Sequence, residues 1–371
     1  MLILSAAIGE GHDLPARVLE ADVRTEAPGA QVEIVDSLDL LHPLLRRMAL
    51  RGARAEGLVG GLLFDLNHWL IARFGPTRAL TSRRIEAAAA RRMRALVRQW
   101  RPSVVVATYP GASEVLGRLR VRGELDVPVA SAITDLASLD YWAHPGVDLH
   151  LITHPESEAE VRTIAPGTRV AAARGMFLPD FLEPRDRVAA RAALGLPREG
   201  DVVVVSGGGW AMGDLAGATE AVLALGGATA VVLTGRNPEV REQLERRYAG
   251  QSRVRVLGFT EQMPDVLAGA DALVHSTAGL TVLEARCQGC PVISYGWGKG
   301  HIRANNRAFE RFGLARVAPD RPALAAALRE ALARRDEPDR SFASLPLAAR
   351  LVLDLAHPSA ASGRPADARA H

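Results

Sequence analysis

Lysine is almost missing from this chain of 371 residues: Lys299 is the single one, and the other basic residues are Arg. A GC-rich genome accounts for that bias more simply than a function does. Formal net charge is only +3 despite a pI near 9.2, so composition gives no reason to expect a nucleic-acid partner. Cysteine is scarce too. Cys287 and Cys290 form a lone C-x-x-C, late in an expected helix and just before an expected strand. A redox pair needs an electropositive helix start and a structural zinc site needs four ligands, so both read as small buried residues. No apolar run approaches the roughly 18–20 residues of a membrane span. Met1 opens straight into the apolar Leu2–Ser5 without a signal-peptide pattern, which leads us to expect a cytoplasmic protein. The glycine-rich stretch Gly207–Gly213 lacks a following Lys-Ser/Thr, so it is not a P-loop. No acidic D-x-D pair precedes a loop, so no metal is expected.

Hydrophobic residues make up 48% and mean hydropathy is +0.05, as in a globular protein long enough for two domains. Strand and helix patterns alternate along the chain, the mark of an α/β protein with parallel sheets. Leu2–Ser5 is a strand, Gly9-Glu10-Gly11-His12 a glycine-rich turn, and a helix is expected from about Asp13 to Glu26. Leu44–Trp100 mixes arginines with Leu, Ile, Phe and Trp at helical spacing. It reads either as amphipathic core helices with solvated arginine faces or as a membrane-surface patch, Arg toward anionic headgroups and Leu63, Phe64 and Trp69 toward acyl chains. Val104–Ala107 and Val127–Thr134 are apolar strands, the second ending at Thr134-Asp135. The boundaries expected are a first domain over 1–176, with 44–101 amphipathic, a linker at Gly175–Glu183, and a second domain over 184–340. An apolar helix over 345–357 and a polar, disordered tail over 358–371 follow.

The densest pattern runs from Val254 to Asn306. Val254–Leu257, Ala272–His275 and Pro291–Tyr295 are short strands. Small-residue turns, Ser276–Gly279 and Gly296–Gly300, follow two of them, each leading into a helix. Ligands of such sheets lie at the carboxyl ends of strands, against helix N-termini. Glu284, one turn inside its helix, is placed to reach a ribose diol; otherwise it is a helix-favouring residue.

This stretch resembles the nucleotide-sugar site of GT-B glycosyltransferases, on the branch of monogalactosyldiacylglycerol synthases and the peptidoglycan-precursor N-acetylglucosaminyltransferase. The matching residues are Gly258-Phe259, Asp271–Val274, Gly279-Leu280-Thr281-Val282-Leu283-Glu284, Gly289-Cys290-Pro291-Val292-Ile293, and Gly300 to Asn305. The first loop is similar to that family's S-x-x-G-x-G-H, at Ser5, Gly9, Gly11 and His12. Thr134-Asp135, Trp142 and Asp148 resemble its T-D-x(6)-W-x(5)-D element. That branch has a His where this chain has Leu139, with His144 the nearest substitute. The last loop, polar in relatives, here has His301 and Ile302.

The resemblance implies two Rossmann-like domains facing a central cleft. It also implies a UDP-sugar as donor substrate, bound by Gly11, Gly208, Gly209, Phe259, Ala278, Gly279, Leu280, Thr281, Glu284, His301 and Asn305, with Glu284 on the uridine ribose. No cofactor is expected. His12 is the preferred general base, at a helix start that disfavours imidazolium. Asp135 is the rival base or the residue that orients His12, and Glu10 a third choice; the alternative for His12 is an ordinary loop histidine. The expected activity is inverting transfer of a sugar to a lipid acceptor by an enzyme peripheral to the inner face of the cell membrane. A UDP-sugar 2-epimerase of the same architecture and a non-catalytic nucleotide-sugar-binding module are the alternatives.

Overall fold

The computed structural model describes residues 1–7, 10–40, 89–276, 279–296, 298 and 301–357, with only the backbone at His301. Most of the arginine-rich patch, Ala278, Gly300 and the tail over 358–371 lie outside the described residues. Parallel strands form two sheets. The first has the order β2-β1-β3-β4-β5-β6, from β1 (Leu2–Ser5), β2 (Glu33–Asp36), β3 (Val105–Ala107), β4 (Val129–Ile133), β5 (Leu149–Ile152) and β6 (Arg169–Ala172). The second has the order β12-β11-β10-β7-β8-β9, from β7 (Val202–Ser206), β8 (Thr229–Leu233), β9 (Val254–Leu257), β10 (Ala272–His275), β11 (Val292–Tyr295) and β12 (Arg316–Ala318). The central strands are buried on both faces, which is why β7 reads VVVVS without polar alternation.

The described helices are α1 (Glu10–Glu26), α2 (89–100), α3 (Pro110–Val121), α4 (Glu158–Ile164), α5 (Arg187–Ala193), α6 (Leu215–Leu223), α7 (Pro238–Arg247), α8 (Met263–Gly269), α9 (Leu280–Cys287), α10 (His301–Arg311), α11 (Arg321–Ala333) and α12 (Ala348–Ala356). Helix α1 starts three residues ahead of the expected Asp13. Pro15, which normally marks a first turn, stands inside it, and His12 joins the helix.

In each sheet the strand order reverses once, between β1 and β3 and between β7 and β10. A crevice opens at the carboxyl ends of the strands at such a point. The segment joining the sheets is packed: Phe177 and Phe181 are buried in the core under the second sheet, together with Leu136 from the first domain. Helix α12 lies on α1, burying Ala348, Ala349 and Val352 with Leu19 and Val23. The Arg350–Glu26 ion pair borders this contact. In α2, Met93 and Val97 are core residues while Arg91, Arg92 and Arg98 are exposed, so this described part of the patch is an amphipathic core helix.

Candidate active site

The reversal point of the first sheet is built from the ends of β1, β3 and β4. His12 sits in the first turn of α1, and its Nδ1 lies 2.9 Å from the Thr108 carbonyl beyond β3. A carbonyl only accepts, so in the neutral ring Nδ1 carries the proton and Nε2 is the basic nitrogen. The ring is wedged edge-on against Tyr109, centroids 5.2 Å apart, and tilted against Trp142 at 5.7 Å. Trp142 is buried and its indole N–H donates to Asp135 at 2.8 Å. His12 and Asp135 are therefore brought to one tryptophan, whose part in the site its place in the sequence does not show. Gly11 borders open space: a Cβ there would meet nothing within 4 Å.

Glu10 is spoken for. Its carboxylate accepts from Arg236 at 2.9 Å and from Arg17 at 2.6 Å. Burial alone would raise its pKa, but the bonds from the two guanidiniums outweigh this and hold it below the ordinary value. Leu139 is a core residue packed with Trp142 and Ile152. His144 does not replace the missing histidine. It lies against Gly117 of α3, and its Nδ1 accepts from the Gly146 N–H at 3.0 Å.

Across the cleft, α9 supplies Glu284, Gly279 being its N-cap at φ 109, a conformation that glycine alone adopts freely. A Cβ on Gly279 would come within 3.9 Å of the Thr134 carbonyl, so this turn faces the end of β4. Glu284 is buried, no described residue hydrogen-bonds its carboxylate, and burial pushes its pKa up to about 7. A buried acid without a protein partner costs stability. Leu280 packs its side chain into the core, so only its backbone N–H at the helix start can serve a ligand; Thr281 beside it is half-buried.

The loop after β7 does not feed directly into a helix. Gly208–Trp210 forms a short 3-10 turn, and Asp214 caps α6 by accepting the Gly217 N–H at 2.7 Å. The N-terminus of α6 is therefore capped from within the chain, and Gly208 and Gly209 border the cleft through backbone alone. Phe259 is 45% exposed beneath the Arg236 guanidinium, 3.6 Å from the ring centroid. Asn305 is fully buried and its side-chain oxygen accepts the backbone N–H of Leu136 at 2.7 Å and of Ala137 at 3.3 Å. It thus ties α10 to the first domain. Its neighbour Asn306 joins Ser294 to α10 at 2.7 Å. Ile302 packs on Gly298 and so braces the last loop.

With this geometry in place, comparison with known proteins is specific. Residues 12–169 match the family described as Monogalactosyldiacylglycerol (MGDG) synthase, and residues 211–334 match Glycosyl transferases group 1. The chain is a GT-B glycosyltransferase. Its likeness to the processive diacylglycerol beta-glucosyltransferase of Bacillus mycoides is 22% identity over 86% of this chain and 82% of that one. The Bacillus pumilus protein of the same description is 21% identical over 85% and 82%. Among solved structures, Acinetobacter baumannii MurG superposes with a TM-score of 0.54 at 16% identity, covering 97% of this chain and 99% of that one. S. aureus MnaA with UDP superposes at 0.59 and 10% identity, covering 95% and 94%. At such identities the superpositions speak for the fold of this glycosyltransferase.

Proposed function

We propose that this glycosyltransferase moves a hexose from a UDP-sugar to a diacylglycerol-type lipid, with inversion and without a metal, at the inner face of the cell membrane. The observation that carries the reading is the pairing across one cleft of a histidine with a basic Nε2 and a buried, unpartnered glutamate. Glu284 takes the ribose hydroxyls of the donor, and the turns at Gly208-Gly209 and Gly279 border its diphosphate. The acceptor hydroxyl gives its proton to His12 Nε2 as its oxygen attacks the anomeric carbon. The bond from that carbon to the diphosphate breaks, and UDP leaves with the electron pair. Asp135 is held by Trp142, the same ring that packs on the histidine that becomes imidazolium. The kinship with diacylglycerol glucosyltransferases and with the MGDG synthase family supports a lipid acceptor and either glucose or galactose as donor sugar.

The test is to incubate the protein with UDP-glucose or UDP-galactose, with and without diacylglycerol in vesicles, and to follow both lipid and nucleotide. A glycosylated lipid with release of UDP is the expected result. Conversion of a UDP-sugar without an acceptor would make the protein an epimerase. Binding without any conversion would make it a nucleotide-sugar-binding module.

A further inference from the structure

An ion pair crosses the cleft beside the donor loops. Arg236 follows β8 in the second domain, and its Nε donates to Glu10 of the first domain at 2.9 Å. The backbone of Arg236 is fixed, its N–H donating to the Gly209 carbonyl at 2.8 Å. The side chain is more than half exposed and lies over Phe259. Glu10 in turn presses on the glycine turn: a Cβ on Gly209 would sit 3.2 Å from the Glu10 Cγ. The stem of Glu10 thus lies against the loop that the proposed function assigns to the donor diphosphate, while its carboxylate is bonded to Arg236.

From this we infer that Arg236 is a diphosphate-binding residue whose guanidinium is parked on Glu10 while the cleft is empty, and that the nucleotide diphosphate displaces the carboxylate. The inference rests on the UDP-sugar reading above. Three features suit an exchange. An exposed ion pair is weak, so it yields readily to a more highly charged anion. A guanidinium fork matches phosphate oxygens bidentately. Glu10 keeps Arg17 of its own helix when Arg236 leaves, so the carboxylate is not stranded. The glycine turns bring only backbone dipoles, whereas Arg236 brings a full positive charge to the leaving group.

Calorimetry with UDP and with uridine tests the exchange. Arg236→Ala should weaken UDP about 10-fold or more and leave uridine unchanged, with Arg236→Lys in between. Glu10→Gln should act in the opposite direction, tightening UDP several-fold, because the competing carboxylate is gone. The inference fails if wild type binds UDP and Arg236→Ala binds it equally. It fails also if uridine weakens as much as UDP, since Arg236 would then act through Phe259 on the base. Weaker UDP binding by Glu10→Gln makes Glu10 a support for Arg236 and overturns the displacement. A wild-type protein that binds neither ligand overturns the functional reading and this inference together.

Discussion

At Glu284 the donor site proposed above would cost stability. Its carboxyl is raised from 4.5 to about 7 by burial, so between those values the folded chain holds a proton that the unfolded chain has released. Stability therefore falls as pH rises across that window and levels off above it, a difference of about 3 kcal/mol. Glu284→Gln should raise the urea midpoint at pH 8 and change it little at pH 5. The same variant should weaken UDP by about 10- to 150-fold, the loss of a charge-assisted hydrogen bond of about 1.5–3 kcal/mol. Wild-type affinity for UDP should rise from pH 6 to pH 8 as the acid ionises. Calorimetry showing full UDP affinity in the variant would remove Glu284 from the site. For His12, whose Nδ1 is held by Thr108, replacement by Ala should lower turnover by about 10²–10⁴ with donor affinity nearly unchanged. If His12→Ala retains its turnover while Asp135→Asn loses it, the base is Asp135.

Helix α10 joins the domains at the scale of elements. Asn305 holds the Leu136–Ala137 backbone, and Phe309 packs its ring 6.1 Å from His154, which follows β5 in the first domain. Both ring nitrogens of His154 are buried without a hydrogen-bond partner among the described residues. Burial, with Arg286 adding to it, lowers its pKa to about 3. An unfolded histidine near 6.5 takes up a proton that the folded one refuses. Stability is then lost as pH falls below 6.5, by about 1.4 kcal/mol per pH unit. His154→Leu should remove that part of the acid sensitivity: wild type and variant would differ more at pH 5 than at pH 7 in urea midpoints. Equal slopes for the two proteins would show that the imidazole finds a proton-accepting partner on acidification.

The whole molecule is two parallel sheets with their reversal points face to face, closed by α12 running back onto α1. The membrane contact proposed above would be a property at this scale, because it needs a whole face of the first domain. Of the arginine-rich stretch, the described residues include the exposed Arg91, Arg92 and Arg98 and Trp100, 44% exposed. Arg46, Arg47, Arg51, Phe64, Trp69, Leu70 and Ile71 lie outside the described residues. The protein should co-sediment with anionic vesicles at low salt and release as salt rises, since such attraction is screened within about 8–10 Å. Charge reversal at Arg46, Arg47 and Arg51 should abolish pelleting and activity on lipid acceptors while UDP affinity stays. Equal pelleting with neutral vesicles at all salt concentrations would sink the electrostatic account. Absence of pelleting at low salt would leave arginines that merely solvate core helices.

The sequence by itself determined the βα repeats, because strands buried on both faces must be continuous apolar runs and α9 must follow a glycine that tolerates φ 109. It also singled out His12 and Glu284, since their motifs are local: a strand end, a turn and one helical turn fix where such a side chain lies. Tertiary structure alone decided what meets across distance. Glu10 on Arg236, Trp142 between Asp135 and His12, and Asn305 on the Leu136 backbone were not legible, nor was the burial of Leu139 and the turn of His144 toward Gly117. Each depends on which strand ends the parallel sheets bring side by side and how two domains approach, and neither is set by spacing along the chain. Hydrogen bonds and ion pairs act over a few ångströms, so residues far apart in sequence become partners only once the packed sheets have set those distances.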